Sequence, residues 1–332
     1  MCVGRNQLPE AENELLKSRL TKLESLRSRG IDPYPTRFQR THTSLEAITV
    51  YEESELSSES TLETMSLSGR IMARRSMGRA TFLDISDRTG KIQALFRINI
   101  LGDKYQILEY IDLGDWLGVI GKPFRTKTGQ VTIQVENFQI LCKAIKPIPE
   151  KWHGLTDVET RYRQRYLDLI SNANSFRTAL TRSQIVKSIR RFMDNKEFIE
   201  VETPILVPVA AGGMAHPFIT HHNTLDRDLF LRIATELHLK RLIVGGLEKV
   251  YEIGRVFRNE GVDQQHNPEF TTMESYEAFA DYKDVMAMVE ELVSQLALET
   301  TGSMVLDYAD VELDFSPPWP RYDLREKILE TS

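Results

Sequence analysis

The sequence predicts an α+β chain, with a small β-barrel first and a larger domain of helices and antiparallel strands after it. Three observations carry this. Residues 66–142 read as five short strands with alternating side chains and one inserted helix. Pro147 and Pro149 then punctuate the chain. Beyond them, amphipathic helical stretches flank two strands joined by a polar loop, so helices and strands segregate.

The elements follow in order. Residues 10–29 carry Leu16, Leu20 and Leu23 at helical spacing, with Gly30 and Pro33 as the stop. This is either a docking or RNA-facing helix or a solvated N-terminal one. Residues 41–65 are polar and acid-rich, a short helix or a linker. Strands are expected over 67–75, 81–84 and 91–96, with the turn Asp87-Arg88-Thr89-Gly90 between the second and third. A helix over 101–111 and strands over 115–121 and 130–141 complete the set. Five strands with a helix after the third fit an oligonucleotide-binding (OB) barrel.

Further on, Phe176, Leu180, Ile185, Ile189 and Phe192 share one face of a helix over 175–195, with Ser175 as its N-cap. A strand over 198–201 follows it directly. Residues 235–244 read as a helix closed by Gly245-Gly246. Strands over 249–260 and 269–279 come next, and Asp281 caps a last helix. The expected divisions are a helix and linker over 1–65, the barrel over 66–145 and the α+β domain over 146–332.

Composition narrows the function. The 332 residues suffice for two ordinary cores, and 41% hydrophobic with 27% charged residues fits a globular chain. No apolar run approaches the roughly 18–20 residues of a membrane span. The first residues lack the apolar stretch of a secretory signal. Only Cys2 and Cys142 are present, which excludes a disulfide scaffold and a cysteine zinc cluster and fits a reducing cytoplasm. With a net charge of −6, RNA could be met only by local basic patches.

Three constellations could carry chemistry. Alternation puts Phe270, Thr272, Glu274 and Tyr276 on one face of the second strand, and Val256, Arg258 and Glu260 on one face of the first. If the strands pair, an arginine, two acids and two aromatics line one surface, too polar for a packing face without ligands. Glu236 opens the helix after Leu231-Arg232-Ile233-Ala234-Thr235, where the helix dipole alone could account for it. Gly212-Gly213 lets backbone approach a ligand, or is a plain loop. His216, His221 and His222 cluster, but adjacent histidines in a strand point to opposite faces and no further ligand has suitable spacing. No Gly-x-Ser-x-Gly elbow or Walker loop occurs.

These residues resemble the class II aminoacyl-tRNA synthetases, and within them the lysine–tRNA ligases. The resemblance runs from about residue 66 to about 325 and is dense in Arg-Tyr-Arg-Gln-Arg-Tyr-Leu-Asp at 161–168. Phe-Ile-Glu-Val-Glu-Thr-Pro at 198–204 looks like motif 1, the dimer-interface element. Phe-Arg-Asn-Glu at 257–260, His-Asn-Pro-Glu-Phe-Thr at 266–271 and Glu274 look like motif 2, the strand–loop–strand that holds ATP.

The resemblance implies an OB-fold anticodon-binding barrel followed by part of an antiparallel-sheet class II catalytic domain. It implies ATP-dependent formation of lysyl-adenylate and transfer to tRNA(Lys), in a cytoplasmic homodimer with no membrane contact. Arg258 would be the catalytic residue at the α-phosphate. Glu260, His266, Asn267 and Phe270 would join it in holding ATP. Glu274, with Tyr276, would receive the lysine ammonium, and Gly212 and Glu236 the amino-group end. Phe82 and Gln93 would contact anticodon bases, with Arg70, Arg74, Arg75 and Arg79 supplying charge. Asn137, beside Glu136, stands where the family often has a glutamate.

Two departures stand out. Ala-Thr-Glu at 234–236 replaces the family's frequent Ala-Pro-Glu, removing a helix-starting proline. After residue 282 no glycine-rich Arg motif (motif 3) occurs before Ser332. The family's magnesium carboxylates are expected beyond that point, none within this chain. The expectation is therefore a truncated chain with poor or no activity of its own. The alternative is a non-catalytic tRNA-binding or regulatory paralogue that uses the barrel alone; a protein-modifying lysyl transferase is disfavoured because such relatives lack the barrel.

Overall fold

The computed structural model describes residues 10–57, 63–148, 155–263 and 265–331, so Cys2, Pro149, Ser332 and part of the expected linker lie outside the description. The chain divides into two units, Met1–Ala173 and Asn174–Ser332. Among the described residues, no helix is long and apolar enough to cross a membrane.

In the first unit, α1 (Glu10–Ser28) buries Leu23 and Leu26 while Leu20 stays exposed, so the packed face is rotated from the Leu16–Leu20 stripe toward Arg19 and Leu26. Arg19 is buried on this helix and donates to the carbonyls of Leu113, Ala144 and Lys146. The helix is therefore docked on the barrel, not merely solvated. The polar stretch after it holds α2 (Ser44–Ser57), opened by reciprocal hydrogen bonds between Thr43 and Glu46.

The strands are β1 (Met65–Met77), β2 (Ala80–Ser86), β3 (Lys91–Arg97), β4 (Trp116–Arg125) and β5 (Val131–Cys142), closed in the order β1-β2-β3-β5-β4. This is the expected barrel. Closure removes every sheet edge, and inward residues such as Leu67, Leu83, Ile92, Phe96, Val119 and Ile133 fill the core. The helix expected over 101–111 is instead one α turn, α3 (Ile98–Leu101), followed by a 3₁₀ helix (Gly102–Tyr110). Gly102, at φ +54°, interrupts the α geometry between them. After the barrel come α4 (Val158–Arg163) and α5 (Arg165–Ser171). The 161–168 run folds on itself there, with buried Asp168 accepting from Arg161 (2.9 Å) and Arg165 (2.6 Å).

The second unit begins within α6 (Ala173–Asn195). That helix starts before Ser175, which therefore lies in its first turn and does not cap it. Phe192 and Met193 are buried on it, whereas Leu180 is exposed. β6 (Ile199–Glu200) pairs in parallel with β10 (Lys249–Phe257), which pairs antiparallel with β11 (Glu269–Glu277). A second small sheet holds β7 (Leu206–Val207), β8 (Ile219–His222) and β9 (Arg227–Leu231), followed by α7 (Glu236–Val244). Helix α8 (Tyr282–Thr301) starts at a capping box between Asp281 and Asp284. A hairpin of β12 (Val305–Tyr308) and β13 (Val311–Asp314) and a helix, α9 (Leu324–Thr331), complete the unit. Phe192, Met193, Phe198, Tyr251, Met288 and Leu292 form its core.

Candidate functional site

The hairpin of β10 and β11 presents the site. Its register pairs Val250 with Tyr276, Glu252 with Glu274, Gly254 with Thr272 and Val256 with Phe270. Directly paired residues share a face, so Phe270, Thr272, Glu274 and Tyr276 lie on one surface. The first strand ends at Phe257, earlier than its alternation suggested, and leaves Arg258 and Glu260 in the loop. Arg258 still adds one rung, its N–H donating to Pro268 O at 2.9 Å. Its guanidinium lies 5.2 Å from the centre of the Phe270 ring, so it projects from the same face as Glu274. Its Nε is buried with no hydrogen-bond partner, as is Thr272 Oγ1. Buried donors without partners are uncommon in folded proteins and suit a ligand.

Further along the face the acids gather. Glu274 Oε1 accepts from Thr235 N at 3.3 Å. Glu236, in the first turn of α7, accepts from Lys240 Nζ at 2.6 Å, and that ammonium stands 5.9 Å from the Tyr276 ring centre. Burial, then the charges of Glu236 and Glu274, push the Tyr276 hydroxyl above its ordinary value, which places both acids within electrostatic reach of it. Gly212, at φ +95°, backs onto Glu236: a Cβ there would lie 2.7 Å from Ala234 Cβ and 3.3 Å from Glu236 Cβ. Gly212, Glu236, Glu274 and Tyr276 are thus neighbours at one end of this face. The loop residues fare differently. Glu260 and Asn267 are exposed, and His266 is exposed with its ring on the Asp263 carboxylate at 2.8 Å.

On the same face lies a pair that the sequence reading did not single out. Arg232 and Glu252 are both buried and meet at 2.5 Å. Arg232 also donates to Thr203 O, Thr203 Oγ1 and Arg255 O. It lies across Gly254, where a Cβ would come within 2.3 Å of its Nη2. The available signal was a charged residue inside the apolar run Phe230–Ile233. Arg232 is thereby engaged by Glu252, and Glu274, directly opposite, has no ion pair among the described residues.

The histidines find local partners. His221 pairs with Asp228 across β8 and β9 at 2.9 Å, and His222 Nδ1 accepts from Leu225 N. Among the described residues, no three or more His, Cys, Asp or Glu side chains gather as a metal-ligand set.

On the barrel, the pairs Arg75–Phe82, Asp84–Gln93 and Gln93–Thr132 put Phe82 and Gln93 on one outer face. Phe82 is partly exposed, while Gln93 is buried and accepts from Thr132 Oγ1 at 3.0 Å. Arg75 and Lys91 both reach Asp84. Arg70 and Arg74 are spent otherwise, on the carbonyls of Gly114 and of Leu108 and Ile111, so they staple the barrel instead of forming a free basic patch. Asn137 accepts from Lys104 Nζ at 2.5 Å beside a cavity of about 240 Å³.

The sequence matches two protein families and a set of curated relatives. Residues 157–331 match the family described as tRNA synthetases class II (D, K and N), and residues 65–141 match the OB-fold nucleic acid binding domain. A protein of Dehalococcoides mccartyi named lysine–tRNA ligase is 52% identical over 320 residues, 96% of this chain and 64% of that protein. Proteins of the same name from Clostridium botulinum and Moorella thermoacetica are 50% and 49% identical over 98% and 96% of the chain, each again covered over 64% of its length. The chain therefore spans 64% of the length of these relatives.

Proposed function

This chain belongs to the class II tRNA synthetases of the D, K and N group, and from that premise we propose that it acts as a lysine–tRNA ligase. The observation that supports the reading best is the shared face of the β10–β11 hairpin, with a guanidinium at one end and an unpaired acid at the other.

In this reading, an oxygen of the lysine carboxylate attacks the α-phosphorus of ATP. A P–O bond forms, the bond to pyrophosphate breaks, and lysyl-adenylate results. The terminal ribose hydroxyl of tRNA(Lys) then attacks the activated carbonyl and releases AMP. No side chain needs to be a nucleophile; positioning and charge stabilisation do the work. Arg258 meets the α-phosphate, and its orphaned Nε supplies one donor. One face of Phe270 carries Arg258, and the other is assigned to adenine. Glu260, His266 and Asn267 contribute from the loop. Glu274 takes the lysine ε-ammonium beside Tyr276, while Glu236, backed by Gly212, takes the α-amino group. Magnesium, which the family implies with ATP, finds no ligand set among the described residues, and no step here runs through it.

The barrel face of Phe82 and Gln93 is assigned to the anticodon, 198–204 to a homodimer contact, and the whole to the cytoplasm. Calorimetric titration with lysine tests the reading. Saturable lysine binding is expected, with none for aspartate or asparagine. Glu274→Gln should weaken it on the order of 10²-fold, because the ammonium would lose its charged partner. Absence of lysine binding, or equal binding of aspartate, would overturn the assignment. Lysine-dependent ATP–pyrophosphate exchange measures whether these 332 residues carry activation through.

A further inference from the structure

The barrel carries a cavity of about 240 Å³ that neither the anticodon assignment nor the hairpin site uses. It lies where the segment between α1 and α2 crosses β4, β5 and the 3₁₀ helix. Asn137, the first β5 residue of its lining, stands five residues beyond Thr132, the partner of Gln93. Roughly 17 Å of strand therefore separates the cavity from the Phe82–Gln93 face. The crossing segment is held in place. Lys143 N donates to Pro33 O at 3.2 Å, and the Tyr34 hydroxyl donates to Lys143 O at 2.9 Å. The Phe38 ring packs on Gly118, where a Cβ would come within 2.4 Å of it. Ile31, Phe38, Ile107, Ile120 and Ile140 make the walls apolar. An apolar cavity of about 150 Å³ is enough for benzene, so this one has room for a ring and a small polar group.

The polar part of the lining offers donors. Lys104 is half-buried, and its ammonium donates to Asn137 Oδ1 at 2.5 Å and stands 5.3 Å from the Phe138 ring centre. Among the described residues it has no carboxylate partner, and burial holds its pKa below the ordinary lysine value. Asn137 Oδ1 accepts a second bond, from Phe138 N at 2.9 Å. Both bonds require the oxygen, so the amide orientation is set and its two N–H donors remain. A cation and amide donors among apolar walls suit an anion with an apolar body. We propose that this cavity binds a small carboxylate with a compact apolar body, such as an aromatic acid. The carboxylate meets Lys104 Nζ and Asn137 Nδ2, and the ring lies among the isoleucines. The site lies wholly within the first unit and does not depend on the ligase reading.

Benzoate is the probe. The full chain labelled with ¹³C-methyl isoleucine reports binding through Ile31, Ile107, Ile120 and Ile140, which all line the cavity. Titration should move these signals saturably, with a Kd of about 10 mM or below. Benzamide keeps the ring and loses the charge, while acetate keeps the charge and loses the ring. Each should bind at least about tenfold more weakly. Lys104→Met should bring benzoate down to the level of benzamide, and Lys104→Arg should keep the preference for the anion. The ligand-free methyl spectrum of each variant reports that the barrel is intact. Signals that stay in place with benzoate, or respond equally to benzamide, overturn the anion site. Equal binding of acetate removes the role of the apolar walls, and unchanged benzoate affinity in Lys104→Met removes that of the ammonium; either result overturns the proposal.

Discussion

Replacing Arg232 by methionine removes the cation that pairs with Glu252 on the hairpin face and roughly preserves its volume. Glu252 would then be a buried carboxylate without its 2.5 Å partner, at 4% side-chain exposure. Breaking a buried pair from one side costs about 3–5 kcal/mol, because the remaining charge stays desolvated. The carbonyls of Thr203 and Arg255 lose donors as well, so the low end of that range is a floor. For a unit of this size, about 2–4 °C per kcal/mol converts the loss to a fall in Tm of roughly 6–20 °C. Urea unfolding and calorimetry of Arg232→Met, Glu252→Gln and the double variant form the cycle. The double variant should be less destabilised than the sum of the singles, since neutral Glu252→Gln no longer needs the cation. A single Arg232→Met loss below about 1 kcal/mol would refute this reasoning.

Gly212→Ala places a methyl 2.7 Å from Ala234 Cβ at a left-handed φ, so lysine affinity should fall about tenfold or more by displacement of Glu236, read by titration. In the barrel, burial pushes the Asp87 carboxyl up, but hydrogen bonds from Thr89, Ser44 and Gly90 outweigh it and hold the group below its ordinary value of 3.8. A depressed folded pKa adds stability above the unfolded value and loses it as pH falls through the folded one. Asp87→Asn should therefore cost the barrel about 1–3 kcal/mol at neutral pH, a gap that closes as the pH drops below 3.8, followed by denaturation at several pH values. Phe82→Ala should weaken binding of an anticodon stem-loop by about 1–3 kcal/mol in a fluorescence titration, if a base stacks there.

The barrel was legible because five alternating runs and their turns are local signals, and closure follows from their number and order. What escaped was tertiary. Leucine spacing on α1 suggested Leu20, but the docked face is decided by Arg19 reaching three carbonyls. Ser175 has the chemistry of a cap, yet α6 already begins at Ala173, two residues before it. Arg70 and Arg74 read as surface charge, and only the fold reveals the carbonyls they bind. In the site, the period of two placed Phe270, Glu274 and Tyr276 on one face, and the register agrees. It could not show that the first strand stops at Phe257, nor that Glu252 is paired by Arg232 from a distant segment. Loop positions such as His266 and Asn267 have no periodicity to read, and both stand exposed.

The most direct measurement is the affinity of a non-hydrolysable lysyl-adenylate mimic, lysine joined to adenosine through a sulfamoyl group. It should be taken across wild type, Arg258→Ala, Glu274→Gln and the double variant. One ligand spanning the hairpin face should bind wild type tightly and lose at least about tenfold in each single variant. No binding to the wild type, or full affinity in either single variant, would contradict the shared site for ATP and lysine.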